Sequence, residues 1–138
     1  MDLVLNAIPA PDKQTLKNYI RTACADLNRR GITSCHSDDY CVFTGMPWQM
    51  INEAFLELEA EGGLTVRVQE QANITTAAAL RDYIAAPDAL KNGVRFRSGP
   101  LKLLGDGALG ARTAFMSRPY ADDPGNYGLP VFTQETIT

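Results

Sequence analysis

The stretch Leu101–Pro119, LKLLGDGALGARTAFMSRP, sets three residues of chemical interest close together: Lys102, Asp106 and Arg112. Leu101, Leu103 and Leu104 read as a short buried strand, which Gly105, Asp106, Gly107 and Gly110 then break into turns. Lys102 is therefore expected inside an apolar strand, where desolvation favours the neutral, nucleophilic amine. The plainer alternative packs its stem in the strand and lets the ammonium reach water. Asp106, between two glycines, suits either a substrate pocket or a turn that bonds its own backbone. Arg112 can orient a carboxylate or carbonyl of a substrate, or pair with Asp122 or Asp123. Gly105, Gly107 and Gly110 spell G-x-G-x-x-G, but a proline-rich loop follows in place of a βα unit, so nucleotide binding is not expected.

The elements that position these groups are legible from apolar periodicity. Leu16, Tyr19, Ile20, Ala23, Cys24 and Leu27 recur at helical spacing after Pro11 and Asp12, and Arg29, Arg30 and Gly31 close that helix. Ile32–His36 reads as a short strand with His36 at its end, followed by a polar loop to Met46. A second helix runs from Pro47 to about Glu61, with Trp48, Ile51, Phe55 and Leu58 on its core face. Leu64–Val68 is the next expected strand. A third helix spans about Thr76–Ala86 and is stopped by Pro87. Val94–Phe96 then leads through Ser98, Gly99 and Pro100 into the strand expected to hold Lys102. Helices alternating with strands predict repeated βα units and a parallel sheet. From Ser117 the chain becomes a loop rich in proline and glycine, with a helix start near Thr133–Glu135.

Composition narrows the partners. The 138 residues are 45% hydrophobic and 21% charged, with a net charge of −3. That balance attracts neither phosphate backbones nor an anionic bilayer, so a small molecule is the expected partner, with no nucleic acid and no membrane. No apolar run approaches the roughly 20 residues that span a bilayer. The N-terminal MDLVLNAIPAPDKQ lacks a signal peptide's basic flank and apolar stretch, so a cytoplasmic location is expected. Three cysteines without C-x-x-C spacing indicate reduced thiols and no zinc clip.

GITSCHSDD (31–39), LTVRV (64–68) and above all LKLLGDGALGARTAFMSRPYADDPGNYG (101–128) resemble the metal-dependent amidohydrolase superfamily. The branch they resemble contains the N-substituted formamide deformylases. The resemblance runs from about Ile8 to the C-terminus and is most specific in the last forty residues. It implies a (β/α)8 barrel with catalytic residues at the C-terminal strand ends, and one or two divalent metals, zinc by expectation, that activate water against an amide-type carbonyl. Lys102 falls at the position of the carboxylated lysine that ligates metal in such proteins. Asp106 and Arg112 match the signature loop at the substrate end, and His36 lies near the same rim as a substrate-binding candidate.

A complete barrel takes about 250 residues, and this chain carries one histidine where such proteins use four. A catalytic zinc keeps three protein ligands. His36, Asp38, Asp39 and Asp106 can supply a makeshift set, yet their spacing does not force them together. The expectation is therefore a partial (β/α)8 barrel of about three to four parallel strands, with residues 1–138 forming one incomplete segment of the catalytic domain. It is expected to be inactive and without a metal of its own, and to self-associate through open sheet edges. The alternative is a short, non-catalytic module that binds a small ligand or regulates, on the same scaffold.

Overall fold

The computed structural model describes residue 4, residues 7–86 and residues 92–137; Pro87, the expected stop of the third helix, lies outside them. The chain forms two compact units, divided after Lys102.

In the first unit, Asp12 caps helix α1 (Lys13–Arg29) by accepting the Thr15 N–H at 2.7 Å. Gly31, at φ +76°, ends the helix in the left-handed region that favours glycine, and its N–H bonds Asn28 O. Strand β1 (Ser34–Ser37) follows, then a single 3₁₀ turn at Asp39–Cys41. Helix α2 (Trp48–Ala60) buries Ile51, Ala54, Phe55 and Leu58, as the periodicity predicts. The outward acids of α2 meet α1: Lys13 pairs with Glu53 and Glu57, Lys17 with Glu57 and Glu61, and Arg21 with Glu61. This ladder explains how Lys17 is tolerated at 4% exposure.

Strand β2 (Arg67–Ala72), helix α3 (Ala77–Ala85) and strand β3 (Phe96–Leu101) complete the unit. The three strands are parallel in the order β1-β2-β3, with Cys35 beside Val68 and Val68 beside Phe96. Phe96 stacks on Phe55 of α2 with ring centroids 4.8 Å apart, which fixes the sheet against that helix. A second, smaller cluster packs Ala72, Ile74 and Tyr83 against Tyr40 and Trp48. Trp48 is thus half-buried there, edge-on to Tyr83, and not with Ile51 and Phe55. No helix among the described residues is long and apolar enough to cross a membrane.

Two strands differ from expectation. The N–H groups of Gly63 and Leu64 both bond Leu58 O, so Leu64 still belongs to the end of α2. The ladder begins only at Arg67, and β2 runs through the polar-looking VQEQA. Val94 and Phe96 were expected to start a strand separate from the one holding Lys102. Instead a single strand passes through Gly99 and Pro100, and the missing proline N–H is tolerated because β3 is paired on one side only among the described strands.

The second unit, from Leu103, is a loop closed on itself. Asp106 Oδ2 accepts the Phe115 N–H at 2.8 Å, Tyr120 Oη donates to Ala114 O at 2.8 Å, and Val131 N–H bonds Gly105 O. Gly128, at φ +76°, presses so close that an added Cβ would sit 2.0 Å from Ala114 O. The unit ends in a short helix α4 (Gln134–Ile137), whose start Thr133 Oγ1 caps by accepting the Thr136 N–H, where the sequence places a helix start.

Candidate active site at the strand ends

The C-terminal ends of the three strands bring together Asp38 after β1, Glu70 and Gln71 on β2, and Lys102 after β3. Lys102 lies one residue beyond β3, where its N–H bonds Ala72 O at 2.9 Å. The expected buried apolar run is not formed. Leu101, Leu103 and Leu104 are 40%, 43% and 56% exposed, because the ladder ends there and leaves them nothing to pack against. Lys102 is accordingly a half-buried ammonium, with Nζ 2.8 Å from Asp38 Oδ2.

Asp38 precedes the 3₁₀ turn, but its side chain makes no capping bond to it. Glu70 takes that place: its Oε1 accepts the Asp39 N–H at 2.7 Å. Glu70 is 0% exposed and points to the helix-covered face with Val68 and Ala72. Burial, reinforced by the Asp39 charge, pushes its pKa up to about 8 against the opposing pull of the Asp39 and Tyr40 amides. Burial likewise raises Asp39. Beside the turn, Tyr40 Oη donates to Asn52 Oδ1 at 2.7 Å and lies 3.3 Å from Ser98 Oγ, tying the turn to α2 and β3. Burial raises this phenol strongly, so it stays protonated.

His36 stands exposed on β1, its Nδ1 3.4 Å from Gln71 Nε2. It shares the sheet with Lys102. Asp106 and Arg112 belong to the second unit, where both are engaged. Asp106 holds the Phe115 amide, and Arg112, at φ 55°, forms an ion pair with Asp122 that raises its pKa and lowers that of Asp122. Turn and ion-pair roles for these two are therefore realised.

Sequence reasoning missed Glu70 and the Asp38–Lys102 pair. The signal for Glu70 was present: alternation through Val68, Glu70 and Ala72 places the carboxyl on the buried face. The pair depends on contact between the ends of β1 and β3, which no spacing reveals.

No group of three or more His, Cys, Asp or Glu side chains able to hold a metal exists among the described residues. The three cysteines are free, and burial raises the Cys35 and Cys41 thiols away from the ligating thiolate. The donor set of the described residues therefore does not fit a complete metal site. An apolar cavity of about 350 Å³ between α1, α2 and β1 reaches Ser37 and Asp39 at the end of β1 but is lined by neither His36 nor Lys102.

Three parallel strands alternating with helices, with Asp38 and Lys102 paired at the C-terminal strand ends, form a βα scaffold. The chain belongs to the amidohydrolase family, whose model matches residues 1–138. It is similar to a putative amidohydrolase, YtcJ, of Bacillus subtilis strain 168, with 29% identity over 138 residues, covering 99% of this chain and 24% of that protein. Two crystal structures share its fold at 28% identity. One is an uncharacterized metal-dependent hydrolase from Pyrococcus horikoshii OT3, with a TM-score of 0.68, covering 92% of this chain and 24% of that one. The other is an uncharacterized metal-dependent hydrolase from Pyrococcus furiosus, with a TM-score of 0.70, covering 96% and 26%. The chain thus spans about a quarter of the length of these relatives. Its three parallel strands and their helices are part of a (β/α)8 barrel.

Proposed function

We propose that this chain is one segment of a metal-dependent amidohydrolase that hydrolyses amide-type C–N bonds of small molecules, in the N-substituted formamide deformylase-like branch. The observation that carries the reading is Lys102 at the C-terminal end of β3, paired with Asp38 from the end of β1. The end of the sheet that holds this amine is the catalytic end in barrels of this kind. Lys102 Nζ is engaged by Asp38 Oδ2 at 2.8 Å, and only a free, neutral amine attacks carbon dioxide. A carbamate on Lys102 therefore requires that pair to open and its negative charge to be neutralised by cations held through ligands from outside this chain. Zinc is the divalent metal proposed for the longer protein, and a cytoplasmic location is proposed with it. His36, through Gln71, contributes a hydrogen-bonding group at the rim.

The chain alone is expected to bind well under one equivalent of zinc and to leave N-formyl and N-acyl amides intact, as read by atomic emission and amine release. Equimolar metal with hydrolysis that survives Lys102→Ala would overturn the reading. Strands β1 and β3 are each paired on one side only among the described residues, and such edges pair with other chains. Sedimentation velocity is accordingly expected to show mass rising with concentration; a monomer at every concentration would contradict self-association.

A further inference from the structure

We infer that Glu70 is a positioning residue for Lys102: by capping the Asp39–Cys41 turn from another strand, it releases the Asp38 carboxylate to hold the lysine. This rests on the strand-end reading above and adds a residue to it.

An aspartate that precedes a helical turn ordinarily spends its carboxylate on that turn's first amides, which otherwise lack acceptors. Asp12 and Thr76 do so in this chain, accepting from Thr15 and Ala79. Asp38 occupies the same position but makes no capping bond. The amides that a cap at Asp38 would serve are those of Tyr40 and Cys41. Glu70 meets the start of the turn instead, its Oε1 accepting the Asp39 N–H at 2.7 Å while the Tyr40 amide, two residues beyond Asp38, also acts on its carboxyl. Asp38 Oδ2 is thereby available to Lys102 Nζ at 2.8 Å.

Burial at this place is costly for a carboxyl, and Glu70 Oε2 makes no hydrogen bond among the described residues. The backbone groups that meet its carboxyl, the Asp39 and Tyr40 amides, both belong to the turn, so fixing the turn is the task its position serves. The other anchor, Tyr40 Oη on Asn52, holds the far side of the turn and leaves the Asp38–Asp39 peptide to Glu70.

The test is the rate at which an amine-acylating reagent labels Lys102, read by peptide mass spectrometry relative to Lys17 in the α1–α2 ladder. Loss of an ion pair of this exposure is worth about two- to threefold in that ratio. Asp38→Asn and Glu70→Leu are both expected to raise it, by similar factors. Glu70→Gln, which keeps an acceptor for the Asp39 amide, is expected to leave it unchanged. Unfolding would raise Lys17 labelling as well, and Asp39→Pro then decides, since it removes the donated N–H and leaves Glu70 in place. It is expected to raise the ratio in the same direction.

The inference is overturned if Asp38→Asn raises the ratio and Glu70→Leu and Asp39→Pro do not, if Glu70→Gln raises it as far as Glu70→Leu, or if Asp38→Asn has no effect. None of these readouts uses hydrolysis. Failure of the amidohydrolase reading would appear as turnover independent of Lys102, with the labelling pattern intact.

Discussion

Glu70→Gln is expected to make the protein more stable at pH 8 while changing it little at pH 5. Glu70 titrates near 8 in the folded chain and near its ordinary 4.5 when unfolded. Below 4.5 both states hold the proton, and the carboxyl imposes no ionisation cost. As pH rises from 4.5 towards 8 the unfolded chain releases the proton and the native chain does not, so stability is lost steadily and levels off above 8. The span corresponds to a loss on the order of 5 kcal/mol. Glutamine keeps an acceptor for the Asp39 amide and carries no charge, so this slope disappears from the variant. Asp39, also raised by burial, contributes a loss of the same sign that is common to both proteins. Urea denaturation at pH 5 and pH 8 reads the difference; parallel pH profiles for the two proteins would contradict the assignment of Glu70 as a buried acid.

Glu59→Ala is expected to cost about 2 kcal/mol at neutral pH. The Glu59 carboxylate near the end of α2 accepts the N–H groups of Val94, Arg95 and Phe96 at 2.7, 2.8 and 3.1 Å, and so seats the start of β3 against the helix. Burial opposes the charge, but the three amides and the Arg95 guanidinium outweigh it and hold the pKa below the ordinary value. The sign is opposite to that of Glu70. This contribution is fully present above 4.5 and is lost as pH falls through the lowered folded value, so the cost of the mutation shrinks in acid. Gly93→Ala is expected to reproduce part of the effect, since its Cβ would lie 2.0 Å from Glu59 Oε2. Faster hydrogen exchange at residues 94–96 together with a lower denaturation midpoint would support the clasp, and an unchanged exchange pattern would contradict it.

The contrast between these two acids shows what could be read from the chain alone. Helices α1 and α2 were legible because Leu16, Ile51, Phe55 and Leu58 recur at the period that buries one face, and the end of α1 is marked by Gly31. Strands β2 and β3 were displaced because their buried faces carry Glu70 and Ser98 among apolar neighbours. A glutamate in a strand reads as solvated until the Asp39 amide that meets it is known. The three leucines of the Lys102 motif suggested a buried strand with Lys102 inside it, whereas β3 ends at Leu101 and Lys102 lies just beyond. The exposure of the leucines follows from where the β2–β3 ladder stops, a long-range property. Arg112 was found paired with Asp122, one of the two acids its neighbourhood offered.

On the proposed reading, Lys102 is the amine that a metal-dependent amidohydrolase carries at the end of its strand. The most direct measurement is ¹³C NMR in labelled bicarbonate, on a chain of the relatives' length containing these 138 residues, with and without zinc. A carbamate resonance is expected that is absent from Lys102→Arg, together with loss of amide hydrolysis in that variant. Full hydrolysis by Lys102→Arg, or a carbamate signal that persists in it, would contradict a metal-ligating role for Lys102.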